Sequence, residues 1–314
     1  MMDLYSIGEM VIDFIPGSEP ASYIRKAGGA PANVAIAVTR NGLSAAMCCK
    51  VGDDDFGRFL MDTLAECGVK AACPELCREA ITTMAFVTLA DNGERRFTFA
   101  RKPGADMMLK EEDVREADIE DAAIVHAGSC SLSAQPVAAA TARALRLGHE
   151  KGKLVSFDVN YRNLMWNDDV DACTRAVTDI LPWVDLLKIS EEEVGMVGGE
   201  AAIPALMAEH DIALVVQTLG ANGARAYFRG GTFDVPGRRV KAVDATGAGD
   251  AFWGAFLAKL RLSGVERASD LTEDILRDAL EYGNVSGCIC VQSKGAIASI
   301  PTRAQIEAYL ESEK

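Results

Sequence analysis

The feature that most constrains this chain is the stretch Asp244-Ala245-Thr246-Gly247-Ala248-Gly249-Asp250 and the apolar run from Ala251 to Leu260 behind it. The run is apolar on nearly every side, which predicts a helix buried almost all round. Small residues therefore open a buried helix. The first turn of an α-helix leaves four backbone N–H groups without partners, and Gly247, Ala248 and Gly249 let an anion approach them closely. The helix dipole favours negative charge at the same place. With Asp250 at the edge of this nest, the stretch suits phosphoryl transfer. The amides hold the charge of the group in flight, and the carboxylate takes the proton of the attacking hydroxyl. The plainer alternative is that Asp250 only caps the helix. Two other phosphate motifs are absent: there is no G-x-x-x-x-G-K-[ST] loop, and Phe252 stands where G-x-G-x-x-G needs its third glycine. Residues 238–243, just before the stretch, read as an exposed strand.

A chain of 314 residues, 49% of them hydrophobic, can bury a large core as one big α/β domain or two modest ones. Thirty-two Lys and Arg stand against 46 Asp and Glu, a net charge of −14 unbroken by any basic run. Nucleic acid and anionic membranes are therefore not expected as partners. No apolar segment approaches the roughly 18 residues of a membrane span, and the N-terminus lacks a signal-peptide pattern, so a cytoplasmic, soluble protein is expected. The nine cysteines sit mostly in apolar context and form no disulfide framework. Cys73 and Cys77 lack further ligands for zinc, because His126, His149 and His210 are scattered.

Along the chain, residues 4–8 read as a buried strand. Residues 11–15 read as a second, whose one acid, Asp13, is either solvated or ligand-facing. Gly28 and Gly29 precede a helix with Pro31 at its start and Gly42 at its end. The glycine pair allows close approach by a ligand, and Asn33 either caps the helix or faces that ligand. A strand over 45–51 leads to a helix that begins at Asp54 or Asp55 and ends at Gly68. Residues 83–89 and 95–100 flank Asp91-Asn92-Gly93, a hairpin with Phe97 and Phe99 on one face. Such a hairpin is a small β appendage, either a lid or a dimer surface. From residue 124 the rhythm is strand and helix. Strands over 124–127, 154–158, 186–189 and 213–218 alternate with helices over about 136–149 and 170–182 and a short one from Glu191. This predicts a parallel sheet covered on both faces. Asp158, Asn160, Arg162, Lys188 and Thr218 collect at the strands' C-terminal ends, where open α/β sheets bind ligands. After Gly220-Ala221-Asn222-Gly223, a helix over about 272–290 carries Asn284.

These residues resemble the ribokinase-like sugar kinases, the PfkB family, nearly end to end. Gly28-Gly29-Ala30-Pro31-Ala32-Asn33 is similar to the family's N-terminal signature, and residues 244–252 are similar to its C-terminal one. Within the family, residues 8–14, 85–89, 101–106 and 158–162, with Trp166, are most like fructokinases. The resemblance implies a ribokinase-like α/β fold: a central, mostly parallel sheet with helices on both faces and a small β lid. One domain over 1–314 is expected, the lid built from about 11–26 and 82–105. The implied activity is ATP-dependent transfer to a primary sugar hydroxyl, fructose to fructose 6-phosphate. The alternatives are a 2-keto-3-deoxygluconate kinase, a ribose or nucleoside kinase, and a non-catalytic sugar-binding regulator. By resemblance, Asp250 is the base and the amides of Gly247, Ala248, Gly249 and Asp250 form the anion hole. Asp13, Gly28, Gly29 and Asn33 hold sugar hydroxyls, Arg101 reaches the sugar from the lid, and Asn160 and Arg162 face the transferred phosphate. Thr218, Gly220, Gly223 and Asn284 line the nucleotide, and Lys188 is assigned to the same cofactor. Arg101 as a structural lid residue and Arg162 as a surface ion pair stay open. Glu193 matches the family's Asn-x-x-Glu and is implied to orient water on Mg²⁺; Ser190 departs from the asparagine. Asp244 and the Thr246 carbonyl match the position of a monovalent cation such as K⁺. A homodimer through the lids is expected.

Overall fold

A computed structural model describes residues 1–19, 21–89 and 95–313, and of residues 89 and 95–97 the backbone alone. The N-terminal part runs β1 (Met2–Ile7), β2 (Val11–Pro16), β3 (Tyr23–Gly28), α1 (Ala30–Arg40), β4 (Ala45–Cys48), α2 (Asp55–Glu66), β5 (Val69–Ala71), β6 (Met84–Leu89) and β7 (Arg95–Ala100). The middle runs α3 (Glu116–Asp121), β8 (Ala122–Gly128), α4 (Val137–Glu150), β9 (Leu154–Asp158), α5 (Val170–Ile180), β10 (Leu186–Ser190), α6 (Ile203–His210) and β11 (Leu214–Thr218). The chain closes with β12 (Gly223–Phe228), β13 (Gly231–Pro236), α7 (Ala248–Leu262), α8 (Glu273–Cys290), α9 (Ala296–Ser299) and α10 (Arg303–Ser312).

Nine strands form one sheet in the order β13-β12-β11-β10-β9-β8-β1-β4-β5. Neighbours from β11 to β5 are parallel, and β12 and β13 add an antiparallel edge. Successive side chains of a strand point to opposite faces, and both faces of this sheet are apolar. Leu4, Ile124, Leu154, Leu186 and Leu214 pack with α1, α2, α7 and α8 into one core. Tyr5, Val125, Val155, Leu187 and Val215 pack with α3 to α6 into a second. The near-continuous apolar runs of these strands follow from that two-sided burial.

The second sheet has the order β3-β2-β6-β7. On one face Phe14 stacks on Phe86 with ring centroids 4.9 Å apart, and Tyr23 and Phe56 meet this pair edge-on. On the other face Asp13, Ala85 and Phe99 stand in register. Phe99 packs on the second core of the body. The backbone of Phe97 pairs with Val87; its side chain, on which the expected shared face with Phe99 rests, and the turn Asp91-Asn92-Gly93 lie outside the described residues.

Three local expectations need correction. Residues 238–243 form no strand. Arg238 is held instead by Glu281 and Glu313, and no strand among the described residues pairs with the segment. The strands before the glycine stretch are β12 and β13, joined through Arg229 and Gly230, both at positive φ (44° and 79°), the backbone of a tight hairpin turn. The short helix expected from Glu191 is a turn followed by a single 3₁₀ turn over Val194–Val197, which ends at Gly198 in the left-handed region. The helix expected to reach residue 182 stops at Ile180 and tightens to 3₁₀ over Leu181–Trp183, because Pro182 has no N–H to continue the ladder. The β3 strand was not expected, its Arg25 and Lys26 masking the strand pattern.

Candidate active site

The first turns of α1 and α7 meet at Asp250. The residue is 6% exposed. Asn33 Nδ2 donates to Asp250 Oδ2 at 2.7 Å, and Asn160 Nδ2 donates to Oδ1 at 3.5 Å. Two neutral amides thus orient the carboxylate, and no cation is salt-bridged to it among the described residues. Asn160 sits at φ 38°, a backbone state that L-residues adopt at a cost and that clusters at functional sites. The helices come close because Gly254, one turn beyond Asp250, has no Cβ to run into Ala37 of α1.

The glycines at the start of α7 differ in kind. Gly247 is left-handed (φ 77°), and a Cβ there would lie 2.6 Å from the Ala296 Cβ, so both conformation and packing demand glycine. A Cβ on Gly249 would meet Lys188 alone, with Nζ at an ordinary 3.5 Å. Neither backbone nor packing requires glycine at 249. Of the expected anion-hole amides, that of Ala248 already donates to Ala245 O at 3.2 Å. Those of Gly249 and Asp250 have no partner among the described residues.

A cavity of about 560 Å³ opens here, lined by Gly247, Gly249, Asp250, Thr246, Asn160, Arg162, Lys188, Glu193 and Thr218. Lys188 and Asp158 stand in register on β10 and β9 and form a buried ion pair at 2.8 Å. Burial pulls the Lys188 ammonium down, but Asp158, Glu193 and Asp250 outweigh it and its pKa is raised. Asp158, read from the sequence only as a polar strand end, joins the site through this pair with Lys188. Glu193 accepts the Tyr161 N–H (2.7 Å) and the Ser190 N–H (2.8 Å), tying together the loops that leave β9 and β10. Arg162 lies exposed at the rim and donates to Tyr161 O.

The expected sugar residues gather on the α1 side of Asp250, outside that cavity's lining. Asp13 on β2 faces Gly28, where any Cβ would run into the carboxylate. Burial raises the Asp13 pKa to about 6, and the carboxylate has no hydrogen-bond partner among the described residues. Gly29 (φ 122°) lies so near the chain that a Cβ would come within 2.5 Å of the Glu9 carbonyl. Asn33 links the two sides, its Oδ1 buried without a partner. Sequence reasoning missed Glu9, whose Oε1 accepts the Ala30 N–H at 3.1 Å. Burial raises its pKa to about 7; an acid inside the apolar run from Ile7 to Ile12 was the available sign.

Other candidates stand apart. Arg101 donates to Asp106 (2.8 Å) and Ser133 (3.1 Å), and Asp106 also accepts the Thr83 hydroxyl; these contacts fit the structural alternative for Arg101. Gly223 abuts Val235 O, and Asn284 Nδ2 donates to Val235 O (3.1 Å) and Pro236 O (3.3 Å). Both anchor the β12–β13 hairpin, and with Gly220 (φ 54°) they lie outside the cavity lining. Asp244 accepts from Thr246 N and Oγ1 and from Gly295 N, closing the loop before α7. Among the described residues no three His, Cys, Asp or Glu side chains gather as a metal site.

A family model described as pfkB family carbohydrate kinase matches residues 1–303. Fructokinase-1 of Oryza sativa subsp. japonica is 39% identical, over 98% of this chain and 97% of the relative. The structure of a fructokinase from Vibrio cholerae O395 in a fructose, ADP and calcium ion bound form is 34% identical, with a TM-score of 0.88 over 99% of each chain. A fructokinase from Xylella fastidiosa with bound ATP is 29% identical, with a TM-score of 0.88 over 99% of this chain and 98% of that one. With the ribokinase-like sheet and Asp250 at the head of α7, these likenesses show that the chain belongs to the pfkB family of carbohydrate kinases.

Proposed function

We propose that the protein transfers the γ-phosphoryl group of ATP to the primary hydroxyl of fructose, giving fructose 6-phosphate and ADP. One observation carries the reading. The Asp250 carboxylate, oriented by Asn33 and Asn160, opens on the same cavity as the bare Gly249, Lys188 and Arg162. The sugar oxygen attacks the γ-phosphorus, the bond to the ADP oxygen breaks, and the hydroxyl proton passes to Asp250. The free amides of Gly249 and Asp250 receive the equatorial oxygens. Lys188 and Arg162 offset their charge, Lys188 held in place by Asp158. Asp13 and the unpartnered Asn33 Oδ1 are acceptors for sugar hydroxyls. Mg²⁺ arriving with ATP supplies charge neutralisation on the phosphates. Glu193, buried at the cavity wall with both oxygens on backbone amides, fits orienting its water shell better than binding it directly. The Asp244–Thr246 loop is the corresponding place for K⁺.

Fructose is favoured because the relatives named above are fructokinases, one of them solved with fructose and ADP. We take the second sheet as the lid of a single domain. Tyr23 on its edge strand is 45% exposed where it meets the Phe14–Phe86 stack, a surface suited to a second copy and a two-fold dimer. The reaction is assigned to the cytoplasm, with no nucleic acid or membrane partner; no described helix is long and apolar enough to cross a membrane. The test is turnover with ATP on fructose, 2-keto-3-deoxygluconate, ribose and nucleosides. Fructose is expected to give the highest kcat/KM. A higher value on another sugar moves the assignment to that sugar, and no turnover on any of them favours a sugar-binding regulator.

A further inference from the structure

One row of the large sheet breaks the pattern of the core beneath α1 and α7. Leu4, Ile124 and Leu154 stand side by side on β1, β8 and β9, and all are apolar. Two residues further along, in the same register and on the same face, stand Ser6, His126 and Ser156, each at most 1% exposed. The next row holds Gly128, Asp158 and Lys188, and Lys188 lines the cavity. The polar row thus lies directly under the site.

Its hydrogen bonds go to the two helices that meet at Asp250. Ser6 Oγ donates to Pro31 O at 2.8 Å, in the first turn of α1 and two residues before Asn33. Trp253 Nε1 donates to Ser156 Oγ at 2.9 Å. Trp253 is three residues after Asp250, on the same side of α7. Ser156 Oγ also meets His126 Nδ1 at 3.0 Å. A hydroxyl has one hydrogen and two lone pairs, so it satisfies the indole N–H and the imidazole together in either tautomer. Burial holds the His126 pKa down near 3, so the ring is a neutral partner.

Stability alone gives little reason for this row. Apolar groups of the same shape can replace a buried hydrogen-bonded pair almost without loss, and the neighbouring row is built that way. Directional bonds do what apolar contacts cannot: they fix the rotation and slide of each helix on the sheet. We propose that the row Ser6–His126–Ser156 is a positioning device that sets α1 and α7 against each other so that Asn33 and Asp250 meet, with Ser156 as its hub. The inference rests on Asp250 as the base of the reaction proposed above. The residues of the row touch no reactant; they act through Trp253 and Pro31.

The test measures kcat, the KM for fructose and for ATP, and Tm in wild type, Ser156→Ala, Trp253→Phe, the double variant and Ser6→Ala. Misplacing a reacting group by about an ångström costs up to about a hundredfold, so kcat is expected to fall about tenfold or more in Ser156→Ala. Both KM values should stay within about twofold, the pattern of an interaction that matters in the transition state only. The double variant should be no slower than the worse single one, because both changes remove the same bond. Ser6→Ala should lower kcat independently. A drop in Tm with kcat of the folded enzyme unchanged in Ser156→Ala and Trp253→Phe overturns the proposal and leaves the row structural. If Ser156→Ala does not fold, Trp253→Phe and Ser6→Ala decide by the same two quantities. An active wild type with unchanged variants contradicts the row alone, whereas a wild type that phosphorylates no sugar overturns both the row and the reading beneath it.

Discussion

At the scale of single residues, two buried carboxyls make the account sensitive to pH. Burial raises Asp13 from 3.8 to about 6 and Glu9 from 4.5 to about 7. The folded state therefore binds their protons more tightly than the unfolded chain does. Their contribution to stability is fully present below the unfolded values and is lost as pH rises through the folded ones. Glu9→Gln keeps an acceptor for the Ala30 amide and carries no charge, so it is expected to be more stable than wild type in urea above pH 7, with the gain vanishing below 4.5. A difference independent of pH contradicts the burial of a titrating Glu9. For Asp13 the ionised form is the acceptor that a sugar hydroxyl needs, so the fructose KM should climb as pH falls through about 6. Asp13→Ala should raise that KM about ten- to a hundredfold, the worth of a charged hydrogen bond, and leave the ATP KM nearly unchanged. An unaltered fructose KM returns Asp13 to a solvated strand residue. Asp13 and Asp250 were legible because each is a lone acid against an apolar run. Asp158 was seen only as a strand end, since its meaning depends on which strand lies next to it.

At the scale of elements, the start of α7 offers a sharper experiment than a motif does. Gly247 and Gly249 look alike in sequence, yet backbone and packing demand the first and leave room for a side chain at the second. Gly247→Ala is expected to destabilise the fold, measured as a lower Tm, because it forces φ 77° and a contact with Ala296. Gly249→Val should leave Tm near wild type and abolish turnover, its side chain standing beside Lys188 in the phosphoryl path. A folded Gly249→Val with wild-type turnover would mean that phosphate does not pass there. The βα rhythm from residue 124 was readable because two-sided burial makes each strand a short apolar run. The edge was not: β12 and β13 turn on Arg229-Gly230 in place of Asn-Gly, and the charged segment 238–243 has strand-like alternation but pairs with no strand among the described residues. Asn284 and Gly223 are implied as nucleotide contacts by resemblance; that they also brace this hairpin is visible only in tertiary contacts.

At the scale of the whole molecule, the chain builds its site by bringing together residues from both ends of the sequence. Asn33 and Asp250 lie 217 residues apart and share one hydrogen bond. Between them the large sheet supplies Lys188 and the loop leaving β9 supplies Asn160, while the second sheet supplies Asp13. The order of the two glycine signatures was visible in the sequence; that they meet head to head over a row of buried polar side chains was not, because no periodicity reports which helices cross. If the second sheets also join two copies, Tyr23→Asp is expected to shift sedimentation equilibrium from dimer to monomer and to raise the fructose KM, since a charge is costly to bury at an interface. A monomeric wild type contradicts that arrangement without touching the chemistry. The chemistry itself is tested most directly by turnover of fructose and ATP in wild type and Asp250→Asn side by side. The account predicts one fructose 6-phosphate per ADP in wild type, and a loss of at least about a hundredfold in kcat in the variant with only a modest change in fructose KM. A folded Asp250→Asn that keeps more than about a tenth of wild-type kcat, well above what loss of a general base allows, would contradict it.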